Sequence, residues 1–189
     1  MYSAFVLLRP GFGAPFVAAL RRSVPWALNL HIVGGLTALA VGPCKFNRRL
    51  RPRAVGMHRW MGRVYVGSAV VGSAGGLVLA PMSQEGIVAH LGFGFLAVFW
   101  LMSTTQALRR IRAGDVDAHR RWMIRSFSLT LAAVTLRIYL PLAAAAGIPF
   151  HDVYRAVAWL CWVPNLLVAE ALIWRDALVL PAQHVNVRQ

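Results

Sequence analysis

Four histidines lie near the ends of long apolar segments, and their side chains are the best candidates in this chain for holding a redox cofactor. They are His31, His58, His90 and His119. If the segments cross a membrane in alternating directions, His31 and His90 share an outer layer, and His58 and His119 share an inner one. Imidazoles from two facing helices are the axial ligands of b-type haem in helix bundles. The pattern therefore predicts haem iron as the metal of these histidines and predicts no other metal site.

Small residues recur at helical spacing beside these histidines. The stripes are Gly35, Ala38 and Gly42; Gly62, Tyr65, Ala69, Gly72 and Gly76; Gly94 and Ala97; and Ser126, Thr130 and Ala133. A porphyrin needs such a gap, but small residues also let membrane helices approach closely with no cofactor between them. The histidines could equally lie among head groups or hydrogen-bond a neighbouring helix. Both explanations stay open at this stage.

Of the charged residues in the apolar segments, Arg137 and Glu170 lie farthest from a segment end. A charge there is unfavourable unless it is paired or hydrated. Their candidate partners lie at matching depths: Asp152 and Glu85 for Arg137, and Arg125 and Arg63 for Glu170. Arg137 could also meet helix carbonyls or a haem propionate, or extend past Pro141 to the lipid head groups. We expect both side chains to point into the bundle, with Glu170 in a structural ion pair.

The elements that must position these residues are long apolar helices. The chain is 58% hydrophobic and 14% charged, with a mean hydropathy of +0.58, whereas soluble domains carry about 25% charged residues. Five segments approach the roughly 20 residues that span a bilayer: Val24–Gly42, Gly62–Ala80, Ile87–Leu108, Trp122–Ala146 and Val153–Trp174. The sequence therefore predicts an all-α, polytopic membrane bundle over residues 23–176. Residues 1–22 read as an interfacial segment or helix remnant, and 177–189 as a cytoplasmic tail.

The net charge of +14 is distributed as in a membrane protein. Most of the basic residues cluster around the first and third loops and after the last helix, which is one side of a five-helix topology. This positive-inside pattern places those loops and the C-terminus in the cytoplasm. Anionic lipids of the inner leaflet are then the expected partners of the arginines, and nucleic acid is not.

Two helix pairs look like copies of one hairpin. His31 and His90 are each followed four residues later by a glycine. The second and fourth helices begin with His58-Arg59-Trp60-Met61-Gly62-Arg63 and with His119-Arg120-Arg121-Trp122-Met123-Ile124-Arg125. Both contain His-Arg and then Trp-Met-x-Arg, with one extra arginine in the second copy. The pattern favours a parallel repeat of helices 1–2 and 3–4.

Several of these motifs together resemble a bacterial family of predicted multi-pass membrane proteins of unknown function. The residues that carry the resemblance are His31 with Gly34-Gly35, Gly42-Pro43, His58-Arg59, Gly62-Arg63, Tyr65, Trp100, Thr104-Thr105, Gly114-Asp115, His119–Ser126 and Leu136-Arg137. The resemblance covers about residues 26–142 and implies a membrane domain in the bacterial inner membrane. His90 is not part of the family pattern, which favours the inner pair, His58 and His119. A more distant likeness, in helix count and histidine layers, is to two-haem b-type cytochromes.

The leading hypothesis is that the chain binds haem b and transfers electrons across the membrane, with a redox partner or a quinone. The alternative is a non-redox transporter or lipid-interacting scaffold that uses the inner arginine and histidine rim. The sequence contains no phosphate loop, nucleophile elbow or Cys-x-x-Cys. The catalytic residues are therefore unknown at this stage, and whether the chain is an enzyme stays open.

Overall fold

The computed structural model describes residues 15–43 and 55–185, with side chains for 17–43 and 56–177. In that part of the chain there are eight α-helices: α1 (Pro15–Ser23), α2 (Pro25–Val41), α3 (Val55–Leu79), α4 (Ile87–Arg112), α5 (Val116–Thr130), α6 (Ala132–Ala145), α7 (Phe150–Leu160) and α8 (Val163–Val185). A short 3₁₀ turn, Ala80–Met82, follows α3. The basic residues of the first loop, Lys45–Arg53, and Met1–Ala14 lie outside the described residues.

The prediction of a polytopic all-α membrane bundle is confirmed. Four stretches of the described chain are long and apolar enough to cross a membrane: Gly56–Met82, Ile87–Arg112, Val116–Ala145 and Phe150–Ala177. A fifth crossing is possible through α1 and α2, which meet at a bend of 119°. The helices extend beyond several predicted ends because hydropathy marks the part inside the hydrocarbon, whereas backbone hydrogen bonding continues into the head-group zone.

The bundle has two ends, a basic end and a distal end, which differ in the loops they carry. The basic end holds the end of α2, the start of α3 and the turn between α4 and α5, including Arg109, Arg110 and Arg112. The distal end holds the turn between α3 and α4, where Glu85 and Gly86 both have positive φ. His58 and His119 begin α3 and α5 at the basic end, and His31 and His90 lie towards the distal end.

Glycines bring α2 and α3 into close contact. A Cβ on Gly34 would lie 2.5 Å from the Ser68 carbonyl oxygen, and one on Gly75 would lie 2.6 Å from that of Ala27. No side chain fits there without moving backbone, so the two helices pack at the distance that only small residues permit. Gly35, which the sequence placed in the stripe, instead has nothing within 4 Å of its Cβ position.

Two predicted single helices are each broken in the distal half of the bundle. The fourth breaks at Leu131, between α5 and α6, and the fifth breaks at Cys161 and Trp162, between α7 and α8. Pro164 explains the second break, because it has no N–H to continue the ladder and its ring crowds the carbonyl of Leu160. Proline commonly kinks or ends a helix, but α6 continues through Pro141 to Ala145.

The two breaks face each other and satisfy each other's polar groups. The Thr135 hydroxyl donates to the Cys161 carbonyl at 2.5 Å. The Asn165 amide donates to the same carbonyl at 3.0 Å and to the Thr135 oxygen at 3.2 Å. A carbonyl released by a helix break in a membrane needs such donors, because lipid offers none.

Candidate cofactor and ligand sites in the bundle

A cluster of buried hydroxyls joins α3, α4 and α5 at the centre of the bundle. The Tyr65 hydroxyl lies 2.9 Å from Ser126 Oγ and 3.0 Å from Thr130 Oγ1. Thr104 Oγ1 lies 2.7 Å from Ser126 Oγ. All four side chains are at most 3% exposed. Thr104 and Thr130 also donate to carbonyls of their own helices, so each hydroxyl of this cluster has both a donor and an acceptor role open to it.

The hydroxyl cluster fixes which faces of α3 and α5 look at each other. Tyr65 lies two turns above His58 on α3, and Ser126 lies two turns above His119 on α5, both at the spacing that repeats a helix face. Because Tyr65 and Ser126 are in contact, the helix faces that carry the two histidines meet at the level of the hydroxyl cluster. The long tyrosine side chain spans the gap between the helices at that level.

The inner histidines are both half-buried. His119 Nδ1 donates to the Ala107 carbonyl of α4 at 2.7 Å. A neutral imidazole that donates from Nδ1 carries its lone pair on Nε2. Metal-binding histidines are commonly held in this way by a backbone carbonyl. The chemistry of His119 therefore fits an axial ligand of haem iron.

The two outer histidines are held differently. His31 Nδ1 donates to the Gly72 carbonyl of α3 at 2.9 Å, while His90 Nε2 donates to the Ser83 carbonyl in the preceding turn at 2.8 Å. In the neutral ring this leaves the lone pair of His31 on Nε2 and that of His90 on Nδ1. The hydrogen bonds of these two residues are thus not equivalent, although the sequence repeat aligns them.

A cavity of about 470 Å³ occupies the distal half of the bundle. Most of its lining is apolar and comes from α2, α3, α4 and α6, and His31, Gly35, Trp100 and Arg137 also line it. His90 is not among its lining residues. Thr130 belongs both to this lining and to the hydroxyl cluster. The cavity therefore adjoins the polar centre of the bundle.

Arg137 is exposed and donates to the Ala133 carbonyl of its own helix. Of the acids that the sequence offered it, Glu85 instead accepts from His151 through its carboxylate and from Arg155 through its backbone carbonyl. Asp152 lies 3.8 Å from the other ring nitrogen of His151. His151 and Arg155 were missed in the sequence because neither belongs to a motif, and only the chain reversal before α7 brings them to Glu85.

Glu170 forms a two-point ion pair with Arg125. Arg125 Nε lies 2.6 Å from Oε1 and Nη2 lies 2.8 Å from Oε2, the geometry in which a guanidinium holds a carboxylate most firmly. The side chains keep 23% and 35% of their exposure. Arg125 also lies over the Trp122 ring, 4.7 Å from its centre. The other candidate, Arg63, is exposed on α3.

The described residues contain no group of three or more His, Cys, Asp and Glu side chains that could hold a bare metal ion. An iron porphyrin supplies four nitrogens itself and needs only two histidines, so this finding leaves haem untested.

Comparison with known proteins identifies a family. Residues 28–173 match the family described as Predicted membrane protein (DUF2306), and because the match covers most of the chain, the protein belongs to that family. No curated protein and no solved structure matches the chain. The family match and the apolar helices together make this an integral membrane protein with several spans.

Proposed function

We propose that this DUF2306 membrane protein holds a b-type haem between His58 and His119 and transfers electrons within the membrane. The observation that carries the proposal is the contact between Tyr65 and Ser126, 2.9 Å long. It supports the proposal because Tyr65 and Ser126 lie on the helix faces that also carry the two histidines. Cofactor sites of helix bundles are built in this way, from side chains on facing helices.

The residues around the inner pair have distinct roles in this proposal. The Ala107 carbonyl holds the His119 ring through Nδ1, so that Nε2 is the ligating nitrogen. Arg59 and Arg121, exposed beside the histidines, supply positive charge for the two haem propionates. A haem with two imidazole ligands provides reversible one-electron exchange. The protein's own part is to fix the ligands and to keep the porphyrin out of water.

The two histidines nearer the distal end, His31 and His90, are less suited to holding a second haem of the same kind. His31 and His90 present different ring nitrogens, and only His31 lines the cavity. We therefore restrict the proposal to the inner pair, and an electron acceptor such as a quinone or a partner protein would act on that haem. The basic end faces the cytoplasm of a bacterial inner membrane in this proposal, and its arginines bind anionic lipid.

The test is the absorption spectrum of the purified protein. The chain is expressed with a haem precursor, purified in detergent, and recorded before and after dithionite. We expect a low-spin Soret band that shifts on reduction. His58→Ala and His119→Ala should each abolish the same spectral component, since one missing ligand opens the iron and loosens the porphyrin. His151→Ala, a histidine at the distal end, is the matched control and should keep the spectrum.

A wild-type spectrum in either inner variant would show that the pair is not the ligand set. A colourless protein from haem-replete cells would reject the proposal. That result would favour the alternative, a non-redox transporter or lipid-interacting scaffold.

A further inference from the structure

We propose that the groove between α5 and α8 is a binding site for one anionic phospholipid of the adjoining leaflet. Two arginines at the basic end hold the phosphate, and an acyl chain lies along the apolar part of the groove. The described lining of this α5–α8 groove includes neither His58 nor His119, so the inference does not depend on haem.

One face of each helix lines the α5–α8 groove, which has a volume of about 590 Å³. Ile124, Phe127 and Leu131 line it from the α5 side, and Val168 and Leu172 line it from α8. These positions recur every three or four residues, which is the spacing of a single helix face. The two faces thus form a continuous apolar channel along the bundle.

The α5–α8 groove has the length of one leaflet. Its lining runs from Arg120 to Leu131 on one side and from Arg175 to Pro164 on the other. Each interval rises by about 16 Å, close to half of the roughly 30 Å of hydrocarbon in a bilayer. Trp174 is 70% exposed beside Arg175, and exposed tryptophans are typical of the head-group level. The groove therefore reaches from the head groups at the basic end to the paired helix breaks near the bilayer centre.

The basic end of the α5–α8 groove has an excess of positive charge. Its charged lining residues are Arg120, Arg175 and Asp176. Asp176 pairs with Arg120 at 2.7 Å, and both side chains of that pair are exposed. Arg175 makes no ion pair within the part of the chain that the structure describes. A lipid phosphate placed there would meet one arginine without a counter-charge and a second whose guanidinium has further donors.

The rest of the α5–α8 groove suits an acyl chain. Val168 and Leu172 are 60% and 44% exposed within the span Phe150–Ala177, so the groove opens sideways to lipid. Its polar members, Ser128 and Asn165, donate to backbone carbonyls three and four residues earlier in the chain. An acyl chain can therefore cover them without leaving these donors unpaired.

These two parts of the α5–α8 groove select the class of ligand. A phospholipid carries a phosphate at the head-group level and an acyl chain that runs along its leaflet. A zwitterionic head group would bring its own cation close to Arg175, whereas an anionic head group neutralises the excess charge of the site. We therefore expect an anionic phospholipid to bind more tightly than a zwitterionic one with the same chains.

The experiment is native mass spectrometry of the full-length protein in detergent. It is titrated with dioleoyl phosphatidylglycerol and, in parallel, with dioleoyl phosphatidylcholine. We expect one tight site for phosphatidylglycerol and weaker binding of phosphatidylcholine. Arg175→Gln should weaken phosphatidylglycerol binding about fivefold, the contribution of one arginine near an anionic surface. Asp176→Asn should strengthen it, because Arg120 then loses its carboxylate partner.

Matched variants separate the α5–α8 groove from the rest of the basic end. Arg112 is exposed at the same end and does not line the groove, so Arg112→Gln should leave the affinity unchanged. Val168→Trp places a ring in the acyl channel and should abolish the tight site. Leu167 is 64% exposed beside it and lies outside the lining, so Leu167→Trp should keep the site.

Four results would overturn the proposal. Equal affinity for the two lipids, or equal effects of Arg175→Gln and Arg112→Gln, would show that the groove does not select by charge. An affinity that does not rise in Asp176→Asn would contradict the role of Arg120. Unchanged phosphatidylglycerol binding in Val168→Trp would place the lipid elsewhere. A wild-type dimer that Val168→Trp separates, with no tight lipid site, would assign the groove to a second copy of the chain.

Discussion

Replacing Tyr65 by phenylalanine tests whether the hydroxyl cluster braces the bundle. Tyr65 is 0% exposed, and its hydroxyl contacts both Ser126 and Thr130. The substitution removes one oxygen and leaves the ring, so it changes hydrogen bonding and hardly changes packing. We expect Tyr65→Phe to fold and to be less stable than the wild type.

The expected loss in the free energy of unfolding depends on which hydrogen bonds the neighbouring hydroxyls keep. Hydrogen bonds between helices in membranes average about 0.6 kcal/mol and reach about 1.7 kcal/mol, and two are lost here. Ser126 retains the contact with Thr104 at 2.7 Å, and Thr130 retains its bond to the Ser126 carbonyl at 3.0 Å. The hydroxyls of Ser126 and Thr130 therefore each keep a partner, and the larger penalty for an orphaned hydroxyl does not apply to them. The expected loss in the free energy of unfolding is about 1–2 kcal/mol.

The assay is reversible unfolding in mixed micelles with increasing SDS. Tyr139→Phe is the control, since Tyr139 is a half-buried tyrosine on α6 outside the hydroxyl cluster. Ser126→Ala and the double variant complete a cycle. Because Tyr65 and Ser126 share a contact, their effects should fall short of additivity by about 0.5 kcal/mol or more. Full additivity, or an equal loss in Tyr139→Phe, would refute the brace and with it the argument that His58 and His119 face each other.

Two further predictions concern the charges. Glu170→Gln should lower the free energy of unfolding by about 1–2 kcal/mol, below the ~3–5 kcal/mol of an enclosed pair, because both side chains of the Arg125 pair remain partly exposed. The control in thermal melts is Asp176→Asn, which breaks the more exposed pair of Asp176 with Arg120 and should change the stability less than Glu170→Gln does. Ala113 and Gln84 are both exposed and lie at opposite ends of the bundle. A cysteine placed at Ala113 should react with a membrane-impermeant maleimide only from the cytoplasmic face, and one placed at Gln84 only from the periplasmic face. The reverse labelling would invert the proposed orientation.

Apolar length predicted the spans well because the bilayer imposes it on any helix that crosses. It could not predict the breaks at Leu131 and Cys161, since the apolar run continues across each break and hydropathy contains no information on hydrogen bonding. Even Pro141 and Pro164 act differently: α6 continues through the first, and the chain breaks before the second. Beside the second break, Thr135 and Asn165 donate to the Cys161 carbonyl, and the contact with Thr135 is a tertiary one that hydropathy does not report.

Residue types predicted the site less well than the spans. Tyr65, Ser126 and Thr130 were read as part of small-residue stripes, and their hydroxyls turned out to form the centre of the bundle. The signal available in the sequence was that all three residues carry a hydroxyl group at corresponding depths of their helices. The face of α2 that contacts α3 also differs from the predicted one. The sequence favoured Gly35, but Gly34 is the residue that packs closely against α3. Neighbouring residues on a helix point about 100° apart, so choosing between them requires knowledge of the partner helix.

The paired breaks in α5–α6 and α7–α8 also bear on motion. Thr135 and Asn165 meet the Cys161 carbonyl at the point where both helices are interrupted, so the two interruptions are tied to each other. On the distal side of that point, α7 is held against α4 by the close approach of Ala158 to Gly92 and by the hydrogen bond from the Trp159 indole to the Val88 carbonyl. A tilt of α6 alone would therefore stretch the bonds at the break, and because α6 forms part of the cavity wall, it would change the width of the cavity.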